Sequence, residues 1–464
     1  MNTLTKKRED FKPIHSGVVH MYSCGPTVYG PQHLGNLRSA VLWDFLRRSL
    51  EMHGYTVRHV INITDFGHLT SDADEGEDKM LKGLKREGLP ITMTAMRELA
   101  DMYAEKYLKD RQTLGALRPY RLPFASDHIQ EQIDLIRRLD EKGFVYTLSD
   151  GVYFDTQKDP DYGRLHVCTP DTDTQSRTGL RDDKRHPADF ALWKCDSQMG
   201  WESPWGMGFP GWHIECSAMS MKYLGETFDI HTGGIEHIDI HHENEYAQSY
   251  SATGKPLAHI WLHNDHLLMN HEKIAKSAGN SVYLDDVIER GIDPLAVRYF
   301  FMQAHYRSSQ NFTWQALEAS AQALKRLRNH VASYKKDMKW WQRIIGTPHK
   351  KYLAEFKEHI VDDIDIPQAL ALIWRMIKDT SLSPAQKYKT IIVCDSVLGL
   401  ELSREIDQTP VDDEIQSILD ARSHARSQKD WAESDRLRDF LAEKGYHVND
   451  TDDGQKITSI TPLQ

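Results

Sequence analysis

Val18-Val19-His20-Met21-Tyr22-Ser23-Cys24-Gly25-Pro26 is an apolar run halted by a Gly-Pro breaker, and its reading decides the fold. Such a run reads as a buried strand ending in a turn. A helix is expected next, because Leu37, Val41, Leu42, Phe45 and Leu46 recur with the 3.6-residue period of an amphipathic helix. Gly54 closes that pattern just before a second β-rich run, Val57 to Thr64. The unit is therefore βαβ, with a right-handed crossover between parallel strands. Ligands collect at the strand C-termini and helix N-termini of such units, where Cys24 and His33-Leu34-Gly35-Asn36 fall.

Further along, Phe228 to His231 and His259 to Leu262 are strand candidates far from the first pair, so the sheet is expected to close after a long insertion. That insertion runs from about Leu117 to Lys194 and holds the polar, turn-rich Asp171 to Lys184. Beyond Asn311 the pattern changes, and Leu317, Ala321, Leu324, Leu327, Ile360, Ala369, Leu372, Ile373 and Met376 suggest amphipathic helices. The acidic stretch Arg404 to Glu414 reads as a linker into one helix from about Ile415 to Lys444, ended by Gly445. The tail, Tyr446 to Ile460, reads as a hairpin turning at Asp453-Gly454.

A chain of 464 residues is too long for one core, and 40% hydrophobic with 27% charged residues is ordinary globular composition without a membrane span. The N-terminal Lys6, Lys7, Arg8, Glu9 and Asp10 stand where a signal peptide needs apolar residues. Five scattered cysteines do not make a disulfide framework and suit a reducing compartment, so the cytoplasm is expected. A net charge of -11 argues against broad, charge-driven nucleic-acid binding and confines any RNA contact to a local basic patch.

The densest chemistry lies in Asp229-Ile230-His231-Thr232-Gly233-Gly234, followed by His241-His242-Glu243-Asn244-Glu245. On a helix His241 and Glu245 fall at i and i+4, so an imidazole nitrogen and a carboxylate oxygen can converge on one metal. Taken singly, such a pair is more often a solvated face. Cys24 changes the weighing, as does Cys216 in Gly211-Trp212-His213-Ile214-Glu215-Cys216, read as lying just before an apolar helix. Two thiolates, one imidazole and one carboxylate make a closed tetrahedral site in which sulfur favours zinc over magnesium or calcium. The competing reading is that both cysteines are small buried hydrophobes.

Two further segments carry weaker signals. His33-Leu34-Gly35-Asn36 opens a helix, where glycine allows close approach of a nucleotide, free N–H groups attract phosphate and His33 can donate; alone it reads more often as a capping turn. Lys273-Ile274-Ala275-Lys276-Ser277-Ala278-Gly279-Asn280 reads as a loop able to set ammonium groups against phosphate charge, although an isolated segment of this kind is usually plain surface.

Together these residues resemble the class I aminoacyl-tRNA synthetases, whose His-Ile-Gly-His and Lys-Met-Ser-Lys-Ser signatures stand here as His33-Leu34-Gly35-Asn36 and Lys273-Ile274-Ala275-Lys276-Ser277. Within that class the resemblance is to the cysteinyl-tRNA synthetase family, through Tyr22 to Tyr29, Gly211 to Cys216, His241 to Glu245 and His305-Tyr306-Arg307-Ser308. It implies an α/β fold: a Rossmann-like parallel-sheet catalytic domain in two halves (1–116 and 195–260) around a connective insertion (117–194). A stem-contact region (261–310), an α-helical bundle (311–403) and a small α+β anticodon-binding region (404–464) would follow. It further implies Cys24, Cys216, His241 and Glu245 as ligands of one zinc ion per subunit. Thr64, Trp212 and His231 would line the cysteine pocket. His33, Asn36, Lys273 and Lys276 would be catalytic, and His33, Gly35, Asn36, Lys273, Lys276 and Ser277 would face ATP, with magnesium arriving on it.

The activity implied is ATP-dependent joining of L-cysteine to AMP and its transfer to the 3′ end of tRNA(Cys), by a monomer with no membrane partner. Packing differences of about 1–3 kcal/mol do not separate cysteine from serine, whereas a zinc–thiolate bond does, so no editing domain is expected. Two alternatives stand beside this: a ligase that transfers activated cysteine to a small amine, and a non-catalytic zinc-containing RNA-binding protein. Against the family pattern, Ala275 replaces a serine, Thr232 a glycine, Phe209 an arginine and Ile457 a tryptophan, and Thr64-Asp65 lacks the acidic pair that often follows.

Overall fold

The opening apolar run forms β1 (Val18–Ser23), buried over its last five residues, and the expected helix is α1 (Leu34–Met52). After α1 the chain reverses at Gly54, whose φ of +90° suits a residue without a side chain. It enters β2 (Thr56–Ile61), parallel to β1. This strand ends before the predicted Thr64, which instead bridges Thr27 in a short parallel contact above the sheet. The computed structural model describes residues 1–69, 76–165, 183–269, 272–273, 281–404, 413–451 and 454–459.

Next come α2 (Lys79–Glu87), α3 (Met93–Thr113) and α4 (Ile129–Glu141). A separate antiparallel sheet follows, built in order from β3 (Val145–Leu148), β4 (Gly151–Phe154), β5 (Phe190–Cys195) and β6 (Gly208–Pro210). The chain then returns through α5 (Trp212–Leu224), β7 (Phe228–Gly234), α6 (Glu243–Thr253) and β8 (Ala258–Asn264) to complete a parallel sheet of order β2-β1-β7-β8. All seven residues of β7 are buried, as a central parallel strand requires. Strand order reverses between β1 and β7, so a crevice opens at their C-terminal ends.

A small sheet, β9 (Leu267–Met269), β10 (Glu272–Lys273) and β11 (Gln310–Phe312), encloses α7 (Leu284–Glu289) and α8 (Leu295–Phe301) in sequence. Then the chain is helical: α9 (Trp314–Asp337), α10 (Trp340–Ile345), α11 (Lys350–Val361), α12 (Ile366–Lys378) and α13 (Pro384–Leu398). Arg298 of α8 ties these parts together, donating to Asp44 of α1 at 2.7 Å and to the carbonyls of Leu398 and Leu114 at 2.6 and 3.2 Å. Burial alone would raise the Asp44 carboxyl, but Arg298 and Arg48 hold it below its ordinary value.

Residues Arg404–Gln464 form a second compact unit. Its single predicted helix is two, α14 (Asp413–Ser427) and α15 (Trp431–Glu443). The break has a local cause: Lys429 takes a φ of +60°, and the Asp430 carboxylate accepts from the Glu433 N–H at 3.1 Å, starting a new helix. β12 (Tyr446–Thr451) and β13 (Gly454–Ser459) pair antiparallel as a hairpin in which Thr451 faces Gly454, while Asp453 of the predicted turn and most of the predicted linker lie outside the described residues. Ile415, Leu419, Leu441 and Val448 make its core.

A candidate active site at the reversal point of the sheet

Cys24 follows β1 directly, and its N–H donates to the Thr232 carbonyl of β7 at 3.1 Å, so both central strands fix it. Cys216 lies inside α5 rather than ahead of it. Gly211 is the N-cap of that helix and lies flat against β5, where a side-chain carbon would stand 2.0 Å from the Ala191 oxygen. His241 belongs to one π-helical turn, Ile238–His242, that leads into α6. Wide turns of this kind recur at functional sites, and this one turns both His241 and His242 toward Glu245.

The four ligand atoms of Cys24, Cys216, His241 and Glu245 lie within 4.8 Å of one another. The two sulfurs are 3.9 Å apart, Cys24 Sγ is 3.5 Å from Glu245 Oε1, and His241 Nε2 is 3.0 Å from the same oxygen. A tetrahedron with bonds of about 2.3 Å to sulfur and about 2.1 Å to nitrogen and oxygen has edges of roughly 3.4–3.8 Å. The spacing fits one ion. Glu245 is fully buried, and although burial would raise its carboxyl, His231 and His241 hold it well below the usual carboxylate range. Burial likewise opposes the charge on His241, but Glu245 carries it up to about 10. The cluster is thus a buried carboxylate whose charge the neighbouring imidazoles offset.

Behind these residues stands a ring of histidines that sequence reasoning did not single out. His213 Nδ1 lies 3.0 Å from His241 Nδ1, His242 Nε2 lies 3.1 Å from Cys24 Sγ, and His242 Nδ1 is 2.7 Å from His263 Nε2. The adjacent His241-His242 doublet was the available signal. His213, His242 and His263 are all driven well below the ordinary histidine value by burial.

The cluster opens on a cavity of about 490 Å³ whose lining includes Cys24, Cys216, His241, Thr64, Trp212, His33 and Asn36. Trp212 stacks on His68 with centroids 3.9 Å apart and planes at 12°, and it tilts against His241 at 4.2 Å. Thr64 Oγ1 donates to the buried Glu215 carboxylate. His231 is placed differently: it is fully buried behind the cluster, bonded to Glu245 Oε2 at 2.9 Å and stacked on Trp261 at 4.3 Å. His33 caps α1, its Nδ1 accepting from the Asn36 N–H at 3.2 Å. Gly35 leaves room for that ring, since a side-chain carbon there would meet it at 3.0 Å. Lys273 lies on β10, and Lys276, Ser277 and Ala275 lie outside the described residues.

The departures from the family pattern find local partners. Thr232 Oγ1 bonds Ser23 Oγ at 2.6 Å across β1 and β7, and Phe209 packs edge-on to Phe66 at 5.3 Å. Gly67, with a φ of +78°, turns the chain so that His68 reaches Trp212. Ile457 lies on β13.

Comparison with known proteins identifies the class of the chain. Residues 10–322 match the family model for the class I (C) tRNA synthetase catalytic domain, and residues 409–457 match that for the cysteinyl-tRNA ligase anticodon binding domain. Cysteine--tRNA ligase 1 of Burkholderia lata is 45% identical over 465 residues, covering 98% of this chain and 96% of its own. The cysteine--tRNA ligase of Treponema denticola is 38% identical, covering 97% of each. Among solved structures, methionyl-tRNA synthetase of Mycobacterium tuberculosis with methionyl-adenylate shares the fold at a TM-score of 0.53 and 15% identity, covering 90% of this chain and 96% of that one. Among the described residues no helix is long and apolar enough to cross a membrane. With its full-length relatives and both domain models in agreement, the chain belongs to the cysteine--tRNA ligases, class I aminoacyl-tRNA synthetases that charge tRNA at the expense of ATP.

Proposed function

We propose that Cys24, Cys216, His241 and Glu245 hold one zinc ion, and that this cluster selects L-cysteine for attachment to tRNA(Cys). Zinc held there supplies a soft Lewis acid whose bond to a thiolate neither serine nor alanine can form. The single observation that carries the reading is that three of these ligands line the same cavity as His33 and Asn36. Trp212 and Thr64 would flank the substrate amino acid on that wall, and His231 would act from behind by orienting Glu245.

His33, Gly35 and Asn36 would receive ATP at the start of α1, and Lys273, Lys276 and Ser277 would close over its phosphates and magnesium. The cysteine carboxylate oxygen attacks the α-phosphorus, the α–β phosphoanhydride bond breaks and pyrophosphate leaves. The 3′-terminal ribose hydroxyl of tRNA then attacks the acyl carbon and AMP departs. Residues 404–464 would read the anticodon, and four described cysteines as free thiols fit a cytoplasmic enzyme.

The test is aminoacylation of purified tRNA(Cys) with labelled cysteine beside labelled serine, with zinc content measured on the same preparation. We expect one zinc per chain and a preference for cysteine above about a thousandfold, beyond what packing alone gives. Serine charged within tenfold of cysteine, or a protein active without zinc, overturns the reading.

A further inference from the structure

The geometry points to a second, inner metal seat, formed by Cys24, His231, His242 and Glu245, that overlaps the outer one and holds the same ion in a closed position. It rests on the reading that this cluster binds a metal. The ligand atoms of this second set also lie within 4.8 Å of one another. Cys24 and Glu245 are common to both sets; Cys216 and His241 are private to the outer, and His231 and His242 to the inner.

Glu245 is built to serve both. Its Oε1 faces His241 Nε2 at 3.0 Å and His242 Nε2 at 3.8 Å, and its Oε2 faces His231 Nε2 at 2.9 Å, so the carboxylate borders the private imidazoles of both seats. Cys24 Sγ stands between, 3.9 Å from Cys216 Sγ and 3.1 Å from His242 Nε2. His242 is prepared as a ligand: its Nδ1 bonds His263 Nε2 at 2.7 Å, and His263 Nδ1 bonds Thr3 Oγ1 at 2.7 Å. With its proton on Nδ1 and donated to His263, the His242 imidazole leaves Nε2 bare for a metal. The seats differ in access. Cys216 and His241 line the cavity, whereas His231, His242 and Glu245 do not and are fully buried, with Trp261 stacked over His231. Closed sites hold metals structurally and open ones expose a position to substrate, so an ion in the inner seat is retained but out of reach of cysteine.

The experiment follows cobalt(II) in the full chain through Cys216→Ser and His241→Asn, each of which removes one private outer ligand. Both variants are expected to keep one cobalt per chain with affinity reduced no more than roughly a hundredfold. X-ray absorption is expected to show one sulfur and two imidazoles in Cys216→Ser, and added cysteine is expected to leave the visible spectrum of both variants unchanged while altering that of the wild type. Adding His242→Asn to Cys216→Ser should then release the metal, although His242→Asn alone costs the wild type less than about threefold. A folded Cys216→Ser without cobalt, one with a single imidazole, or one whose spectrum still responds to cysteine overturns the inner seat. So does failure of both single variants to fold with cobalt present, since the inner set is intact in each. A wild type that binds no metal overturns instead the reading beneath it.

Discussion

The wall of the cavity that carries Cys24, Cys216 and His241 and the wall that carries His33 and Asn36 are built on opposite plans. On the first, Cys216 and His241 are buried and Cys24 is half-buried, and the cluster is held from behind: Cys24 by Thr232, His241 by His213, and Glu245 by His231. On the second, His33 is half-buried and Asn36 is exposed, and their order comes from the helix beneath them. On the proposed reading, a small soft ligand would meet a preformed grip, while a large charged one would meet an open helix end. On that reading selectivity would reside in the first wall, because a site arranged before binding is the better one to reject a substrate lacking one atom.

The sharpest way to break this contrast is Cys24→Ala, which removes from the first wall the sulfur common to both ligand sets. Zinc per chain is expected to fall from one to near zero, and cysteine-dependent pyrophosphate exchange to fall by on the order of a thousandfold, a loss of about 4 kcal/mol in transition-state stabilisation. Affinity for ATP, followed by calorimetry, should stay within twofold. Joint loss of zinc and ATP binding would show that the two walls are one unit.

The second wall is tested through the helix that carries it. Arg298→Leu leaves Asp44 buried with a smaller share of positive charge and strips donors from the Leu114 and Leu398 carbonyls. Breaking a buried pair of this kind costs about 3–5 kcal/mol, to be read from urea midpoints. Asp44 also gives a pH signature. Its carboxyl lies below the ordinary 3.8 in the folded chain, so its contribution is complete above that value and is lost as pH falls through the folded one. The stability gap between wild type and Asp44→Asn should therefore narrow between about pH 5 and about pH 3.

How far the sequence disclosed these walls follows from which interactions were local. The βαβ unit was legible because the apolar run into Cys24 and the period of Leu37, Val41 and Leu42 are short-range patterns. Cys216 was misplaced relative to its helix because α5 begins at Gly211 with no side-chain cap bond, and the fit of that glycine against Ala191 of another strand is something no local period records. The break at Lys429 was hidden for a related reason: Asp430 reads as one more polar residue until its carboxylate caps a second helix. The His263 and Thr3 partners of the cluster come from opposite ends of the domain in sequence, so only folding brings them together.

A smaller effect is expected from His33→Ala. The cap bond to the Asn36 N–H is lost, worth about 0.5–2 kcal/mol of stability. If His33 also meets phosphate, exchange should fall by on the order of a hundredfold through weaker transition-state contact, with zinc content and affinity for cysteine unchanged. A fall in cysteine affinity instead would mean that the helix end helps to shape the amino-acid pocket.

The smallest change falls on the residue that departs from the family pattern behind the cluster. Thr232→Val keeps the shape of the side chain but removes the 2.6 Å bond to Ser23 Oγ. Ser23 keeps its second partner, His59 Nε2 at 2.8 Å, so no buried hydroxyl is stranded. A longer bond from Thr232 Oγ1 to the Tyr22 carbonyl at 3.4 Å is lost with it, so the cost should be about 1–2 kcal/mol. The position of Cys24 depends on the backbone bond from its N–H to the Thr232 carbonyl, which the substitution leaves in place. KM for cysteine should accordingly stay within twofold while the urea midpoint falls. Were KM to rise tenfold with no loss of stability, the grip on the thiol would depend on the Thr232 hydroxyl, and the rigidity of this wall would lie in its side chains rather than in the strands that carry them.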